Sequence, residues 1–157
     1  MGPANGRGSY YLCIGQWSSK AAWLGVLYGL GPTSVLFGKH IDKIDLERSK
    51  GVRTLPVLLG ERPARVAAKL LLISQYTGCI ALVLSGREHG FLLVVLLNLG
   101  ALWRALGVFS TPKPTEKPEH FPGNLWPLWF APHAFAHQRR FTVLFLAALL
   151  LAQWMPV

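Results

Sequence analysis

The sequence predicts an all-α protein, a multi-span transmembrane helical bundle, and three observations carry that prediction. Of the 157 residues, 52% are hydrophobic and only 15% are charged, where a soluble domain usually carries about 25% charged residues. Mean hydropathy is +0.35. The apolar residues are gathered into runs with little charge, close to the roughly 20 residues that a helix needs to cross about 30 Å of hydrocarbon, and most of the basic residues fall between or at the ends of those runs.

Residues 1–20 form an N-terminal segment without a span, expected to be disordered or interfacial, ahead of a transmembrane helical domain over 21–157. The opening residues lack the basic region and unbroken apolar core of a secretory signal, so insertion is expected from the internal segments. The first span is 21–38, uncharged and interrupted by Gly29, Gly31 and Pro32. In a bundle, small residues permit close helix contact and a proline is tolerated. A charged connector follows to about Arg65. Pro63 suits the first turn of the next helix, a span over 64–84. Residues 85–90 make a polar turn. The third span is 91–109, with Arg104 placed to snorkel. Four prolines (Pro112, Pro114, Pro118, Pro122) make 110–123 a stiff, non-helical loop. Residues 125–137 are aromatic and carry Pro127 and Pro132, so they read as interfacial or as part of a broken span. A final apolar helix covers 141–155.

The net charge is +9, from sixteen Lys plus Arg against seven Asp plus Glu. A nucleic-acid binder would gather its bases on a polar domain; here they lie in the connectors, so nucleic acid is not an expected partner. Eight Lys or Arg fall between Lys39 and Lys69 and only Arg87 in the 85–90 turn. The positive-inside rule therefore puts the Asp42 loop on the cytoplasmic side. Cys13 and Cys79 form no Cys-x-x-Cys and read as two small apolar side chains.

The chemistry is concentrated between Gly38 and Gly60. Asp42, Asp45 and Glu47 lie among Lys39, Lys43, Arg48, Lys50 and Arg53. Asp42 and Asp45 share a face if helical, and Glu47 adds a third carboxylate. Such oxygens suit Mg²⁺, which takes one or two carboxylates plus phosphate oxygens, while the cations would face phosphates and stabilise a departing diphosphate. The bland alternative is a solvated, self-paired charge run that serves only topology. His40 adjoins the acids, either as a general base or as a polar helix end. His133 and His137 stand four apart, but without an intervening Glu they read as interfacial histidines rather than a zinc site. Trp23, Tyr28 and Phe37 offer rings for cation–π contact or ordinary packing. Gln75 and Asn98, polar within spans, are expected to hydrogen-bond between helices.

The string Asp42-x-x-Asp45-x-Glu47-Arg48-x-x-Gly51-x-Arg53-Thr54-Leu55-Pro56-Val57-Leu58-Leu59-Gly60 resembles the second aspartate-rich motif of the UbiA superfamily of intramembrane prenyltransferases, with its Gly-x-x-Thr-Leu-x-Val-x-x-Gly tail. The resemblance covers the chain from about Ala21 and corresponds to the C-terminal half of such an enzyme, a partial UbiA-type fold. It implies transfer of a prenyl group from a polyprenyl diphosphate to a hydrophobic acceptor, often an aromatic ring, with Mg²⁺ as cofactor. By position, Asp42, Asp45 and Glu47 would be the catalytic and metal-side acids. Lys39, Lys43, Lys50 and Arg53 would contact the diphosphate. The family often has aspartates four and eight residues before the motif glycine, where this chain has Glu47 and Lys43. The family's first acidic motif is missing, since no acid precedes Asp42. The chain is therefore expected to be inactive alone, as a fragment, a split protein or a degenerate relative, with a second chain supplying the other half. A non-catalytic integral membrane protein, such as a transporter subunit or scaffold, is the alternative.

Overall fold

Residues 2–154 are described by a computed structural model, with side chains from Gly8 onward. The described residues contain helices and no strand. In chain order these are α1 (Gly2–Ile14), α2 (Ser19–Asp42), α3 (Ile44–Ser49), α4 (Leu55–Leu59), α5 (Glu61–Leu84), α6 (Leu99–Ser110) and α7 (Phe130–Trp154). A 3-10 helix over Gly90–Asn98 leads straight into α6. Four helical stretches are long and apolar enough to cross a membrane: Ser19–Asp42, Glu61–Leu84, Gly90–Ser110 and Phe130–Trp154.

Ser18 starts α2 by accepting the Ala21 amide on Oγ at 3.2 Å, the usual work of an N-cap. Pro32 lies inside α2. Beside it, the Thr33 and Ser34 hydroxyls donate to the carbonyls of Gly29 and Gly31 at 2.8 and 2.7 Å, so both hydroxyls find their acceptors within the helix. The buried face of α2 carries Gly31, Ser34 and Gly38, a stripe of small residues that lets α7 approach. A Cβ on Gly38 would sit 2.9 Å from the Ala131 amide nitrogen, so only glycine fits.

Packing runs α1 on α2, α2 on α5 and α7, α5 on α6, and α7 on the 3-10 helix and α6. Leu72, Tyr76, Phe109, Phe130, Phe141 and Phe145 fill the centre. Many other apolar side chains face outward, Leu97, Trp103, Val143 and Leu150 among them, as expected of a surface that meets lipid rather than water.

Within the N-terminal segment, Gly2–Ile14 form α1, packed on α2. Two element boundaries differ from those expected. The third span is half 3-10 and half α-helix. Residues 125–137 divide: a short 3-10 turn closes at Leu125, and α7 starts at Phe130 and runs unbroken through the expected 141–155 helix to Trp154. Pro132 falls in the first turn of α7, where a missing amide costs nothing. Residue 155 lies outside the described residues.

Candidate functional site

The charged connector from Lys43 to Gly60 closes one end of the bundle, between α2 and α5. Asp42 ends α2 and is tied to a segment far along the chain. Its Oδ1 accepts the amides of Trp129 at 2.8 Å and Phe130 at 3.0 Å, and its Oδ2 accepts the amide of Ala131 at 3.0 Å. These amides open α7, so the carboxylate caps that helix and complements its positive end. Both oxygens are thereby occupied.

Glu47, on α3, is likewise enclosed. His40 Nδ1–H donates to its Oε1 at 2.7 Å and Thr54 Oγ1–H to its Oε2 at 2.8 Å. Burial pushes this carboxyl up, but the bonds from His40 and Thr54, with the charges of His40 and Lys43, outweigh it and hold the group below its ordinary value. The three residues clip the end of α2, α3 and the start of α4 into one unit. Asp45 points away from both. Its side chain is 93% exposed and lies 3.8 Å from Arg48, a pairing worth little in water.

The structure therefore does not bring the three acids together. As placed, they do not fit one Mg²⁺: Asp42 and Glu47 are engaged by separate sets of protein donors and the third stands in solvent. Among the described residues, no three His, Cys, Asp or Glu side chains are grouped to hold a metal ion. Of the two histidines spaced four apart, His133 donates from Nδ1 to the Trp129 carbonyl at 2.7 Å.

The expected cations lie differently. Lys50 and Arg53 are exposed on the connector, and Lys39 is exposed on the last turns of α2. Lys39 and Lys43 continue a line that begins deeper on α2 with Gly25, Tyr28, Pro32 and Leu36, residues spaced three and four apart. Those four line an apolar groove of about 830 Å³, closed by Tyr10 and Cys13 of α1 and by Phe145 and Leu146 of α7. Lys43 lies about 10 Å beyond Leu36 along the helix axis, at about 1.5 Å per residue. The groove is an oily trough, and Lys39 and Lys43 follow its Leu36 end along the chain without lining it.

The loop over this end of the bundle is held by rings. Phe121 packs on Trp129 and His133 at centroid distances of 5.1 and 5.7 Å, and Lys113 lies 5.3 Å above the Trp126 ring. The loop charges already predict 110–123 on the same face as the Asp42 connector, but sequence reasoning missed the rings that hold it there, along with the amides at 129–131 and Thr54 as partners of the acids. The Trp126, Trp129 and His133 cluster was the available signal. It also read His137 as interfacial, whereas His137 is buried at 2% exposure and bonded to Tyr76 Oη at 2.8 Å.

Residues 7–128 match the family model described as the UbiA prenyltransferase family. No curated protein and no solved structure matches the chain.

Proposed function

Because this chain belongs to the UbiA prenyltransferase family, and so is an integral membrane protein of a prenyltransferase-like kind, we propose that it binds a polyprenyl diphosphate and serves its transfer to a hydrophobic acceptor. The isoprenoid lies in the groove between α1, α2 and α7, and the diphosphate meets Lys39 and Lys43. The observation that carries this reading is the continuity of one helical face, apolar from Gly25 to Leu36 and cationic beyond it. An amphiphile laid along α2 satisfies both halves at once. Lys50 and Arg53, exposed on the connector, serve in this reading as outer electrostatic attraction for the headgroup. The Asp42 end of the bundle is the cytoplasmic one, on the loop charges.

The reaction breaks the allylic C–O bond. Its electron pair leaves with the diphosphate, and the acceptor bonds to the prenyl carbon and gives up a proton. What this chain supplies is the positioning of the lipid and positive charge where the leaving oxygens gain negative charge. The acids act by position: Asp42 fixes α7 against α2, and Glu47 fixes the connector. Their dispersal favours a second reading, in which this chain holds the lipid diphosphate without turnover and a second chain supplies acidic groups.

Titration calorimetry of the detergent-purified chain with geranylgeranyl diphosphate tests the proposal. The expected result is binding that weakens about tenfold in Lys39→Ala/Lys43→Ala, the effect of about 1.4 kcal/mol, with inorganic pyrophosphate binding more weakly than the lipid. Equal affinity of variant and wild type, or of pyrophosphate and lipid, overturns it. Prenyl transfer by the purified chain alone would overturn the second reading.

A further inference from the structure

Arg104 on α6 and Arg140 on α7 face a recess of about 310 Å³ between the two helices, which His133 and His137 also line. Both arginines are exposed, and so is the neighbouring Arg139. None of the three pairs with a carboxylate among the described residues. Cations within apolar helices are costly to keep without a partner. The recess adjoins a second hollow of about 600 Å³ lined by Leu97, Asn98, Arg139, Arg140, Val143 and Leu144, so Arg140 stands where a cationic hollow meets a largely apolar one.

A buried donor points to the same place. Asn98 Nδ2 donates to Tyr76 Oη at 3.1 Å, and Tyr76 Oη lies 2.8 Å from His137 Nε2. The assignment that uses every proton has the Tyr76 hydroxyl donating to Nε2, which leaves the proton of neutral His137 on Nδ1. That nitrogen is buried and has no partner. An unmet N–H in such a setting is expensive, and His137 lines the recess. Two guanidinium forks thus line a hollow without an acceptor of their own, and the same hollow is lined by His137, whose buried Nδ1–H has no partner. His133 is not counted, because its Nδ1–H serves the Trp129 carbonyl.

We propose that the groove between α6 and α7 binds the phosphate headgroup of an anionic phospholipid, with an acyl chain lying along Leu97, Val143 and Leu144. Arg140 is ten residues into α7, about 15 Å from its first residue along the axis, and basic pockets between membrane helices take phosphate headgroups in this way. The apolar continuation distinguishes a lipid from free phosphate. The site stands on the opposite flank of α7 from Phe145 and Leu146, and it does not rest on the prenyl diphosphate reading.

Native mass spectrometry of the detergent-purified chain, with added phosphatidylglycerol or phosphatidylcholine, tests it. The expected result is retention of phosphatidylglycerol over phosphatidylcholine, weakened about tenfold in Arg104→Gln/Arg140→Gln and unchanged in Arg62→Gln/Arg87→Gln, which loses the same charge elsewhere. Equal retention of the two lipids, retention by the first variant equal to wild type, or equal loss in the second variant overturns the proposal. Competition by inorganic phosphate as effective as that by phosphatidylglycerol also overturns it, in favour of a free-phosphate site. On the wild-type chain, phosphatidylglycerol should shield Arg104 and Arg140 from phenylglyoxal where phosphatidylcholine does not; unshielded arginines contradict the proposal whether or not the variants fold.

Discussion

Replacing Asp42 should loosen α7 before it affects anything else. The first turn of α7 offers the amides of Phe130 and Ala131, and Pro132 has none to offer. Asp42 accepts both, together with that of Trp129, at 2.8–3.0 Å. Removing an ordinary N-cap costs about 0.5–2 kcal/mol. Here the acceptor is charged, partly buried, and set at the positive end of a long helix, which adds up to about 2 kcal/mol in favourable geometry. These contributions overlap, so Asp42→Ala is expected to cost about 2–3 kcal/mol. Asp42→Asn, which keeps one acceptor oxygen and loses the charge, is expected to cost about 1 kcal/mol. The assay is unfolding in mixed micelles, paired with amide hydrogen exchange. A cost of 2–3 kcal/mol corresponds to roughly 30- to 150-fold faster exchange at Trp129, Phe130 and Ala131. Unchanged stability and unchanged exchange at those three amides in Asp42→Ala would refute the capping role and return Asp42 to the list of free ligands.

Three further outcomes follow from named contacts. Gly38→Ala should destabilise the bundle by about 1–3 kcal/mol through overpacking, since its Cβ would lie 2.9 Å from the Ala131 nitrogen and 3.0 Å from its Cα, and the same exchange measurement should show the α7 amides released. Tyr76→Phe should cost about 0.6–1.7 kcal/mol, the range for a hydrogen bond between membrane helices, because it strands His137 Nε2 and leaves Asn98 Nδ2 only the His137 carbonyl at 3.4 Å; micelle unfolding reads this directly. For Glu47 the folded value lies below the ordinary 4.5. The bonds its carboxylate accepts from His40 and Thr54 therefore stabilise the connector above pH 4.5, and that contribution is lost as pH falls through the folded value. Tryptic cleavage at Lys43 to Arg53, sampled after brief exposure to falling pH, should rise in that acid window in the wild type. Glu47→Gln should show raised cleavage already at neutral pH and no further step.

The sequence was legible where a property is local. The apolar runs 21–38, 64–84 and 91–109 each lie within a helical stretch long and apolar enough to cross a membrane, and Pro32 inside α2 is tolerated as the small residues around it permit. Gln75 and Asn98 do bond between helices, to Gln138 at 3.2 Å and to Tyr76 at 3.1 Å. What failed to show was what depends on distant partners. Asp42 reads as a ligand until a helix start 87 residues away is folded onto it. Pro127 and Pro132 read as two interruptions of one segment, but one precedes α7 and the other sits in its first turn, where a proline fits. His137 beside Arg139 and Arg140 looked interfacial because a run of four polar residues hides the two, His137 and Gln138, that turn inward. Tyr76, a hydroxyl in an apolar run, was the partner of His137 and the overlooked hint.

The account rests on a lipid diphosphate lying along α2. A geranylgeranyl diphosphate analogue with a diazirine near the tail end of its chain, irradiated with the detergent-purified protein and mapped by peptide mass spectrometry, tests this most directly. Labels on Tyr10, Leu24, Tyr28 or Phe145 that fade with excess unlabelled lipid diphosphate, and fade again in Lys39→Ala/Lys43→Ala, are the predicted result. Labels spread over the outward faces of α5 and α6, indifferent to both competitor and variant, would contradict it.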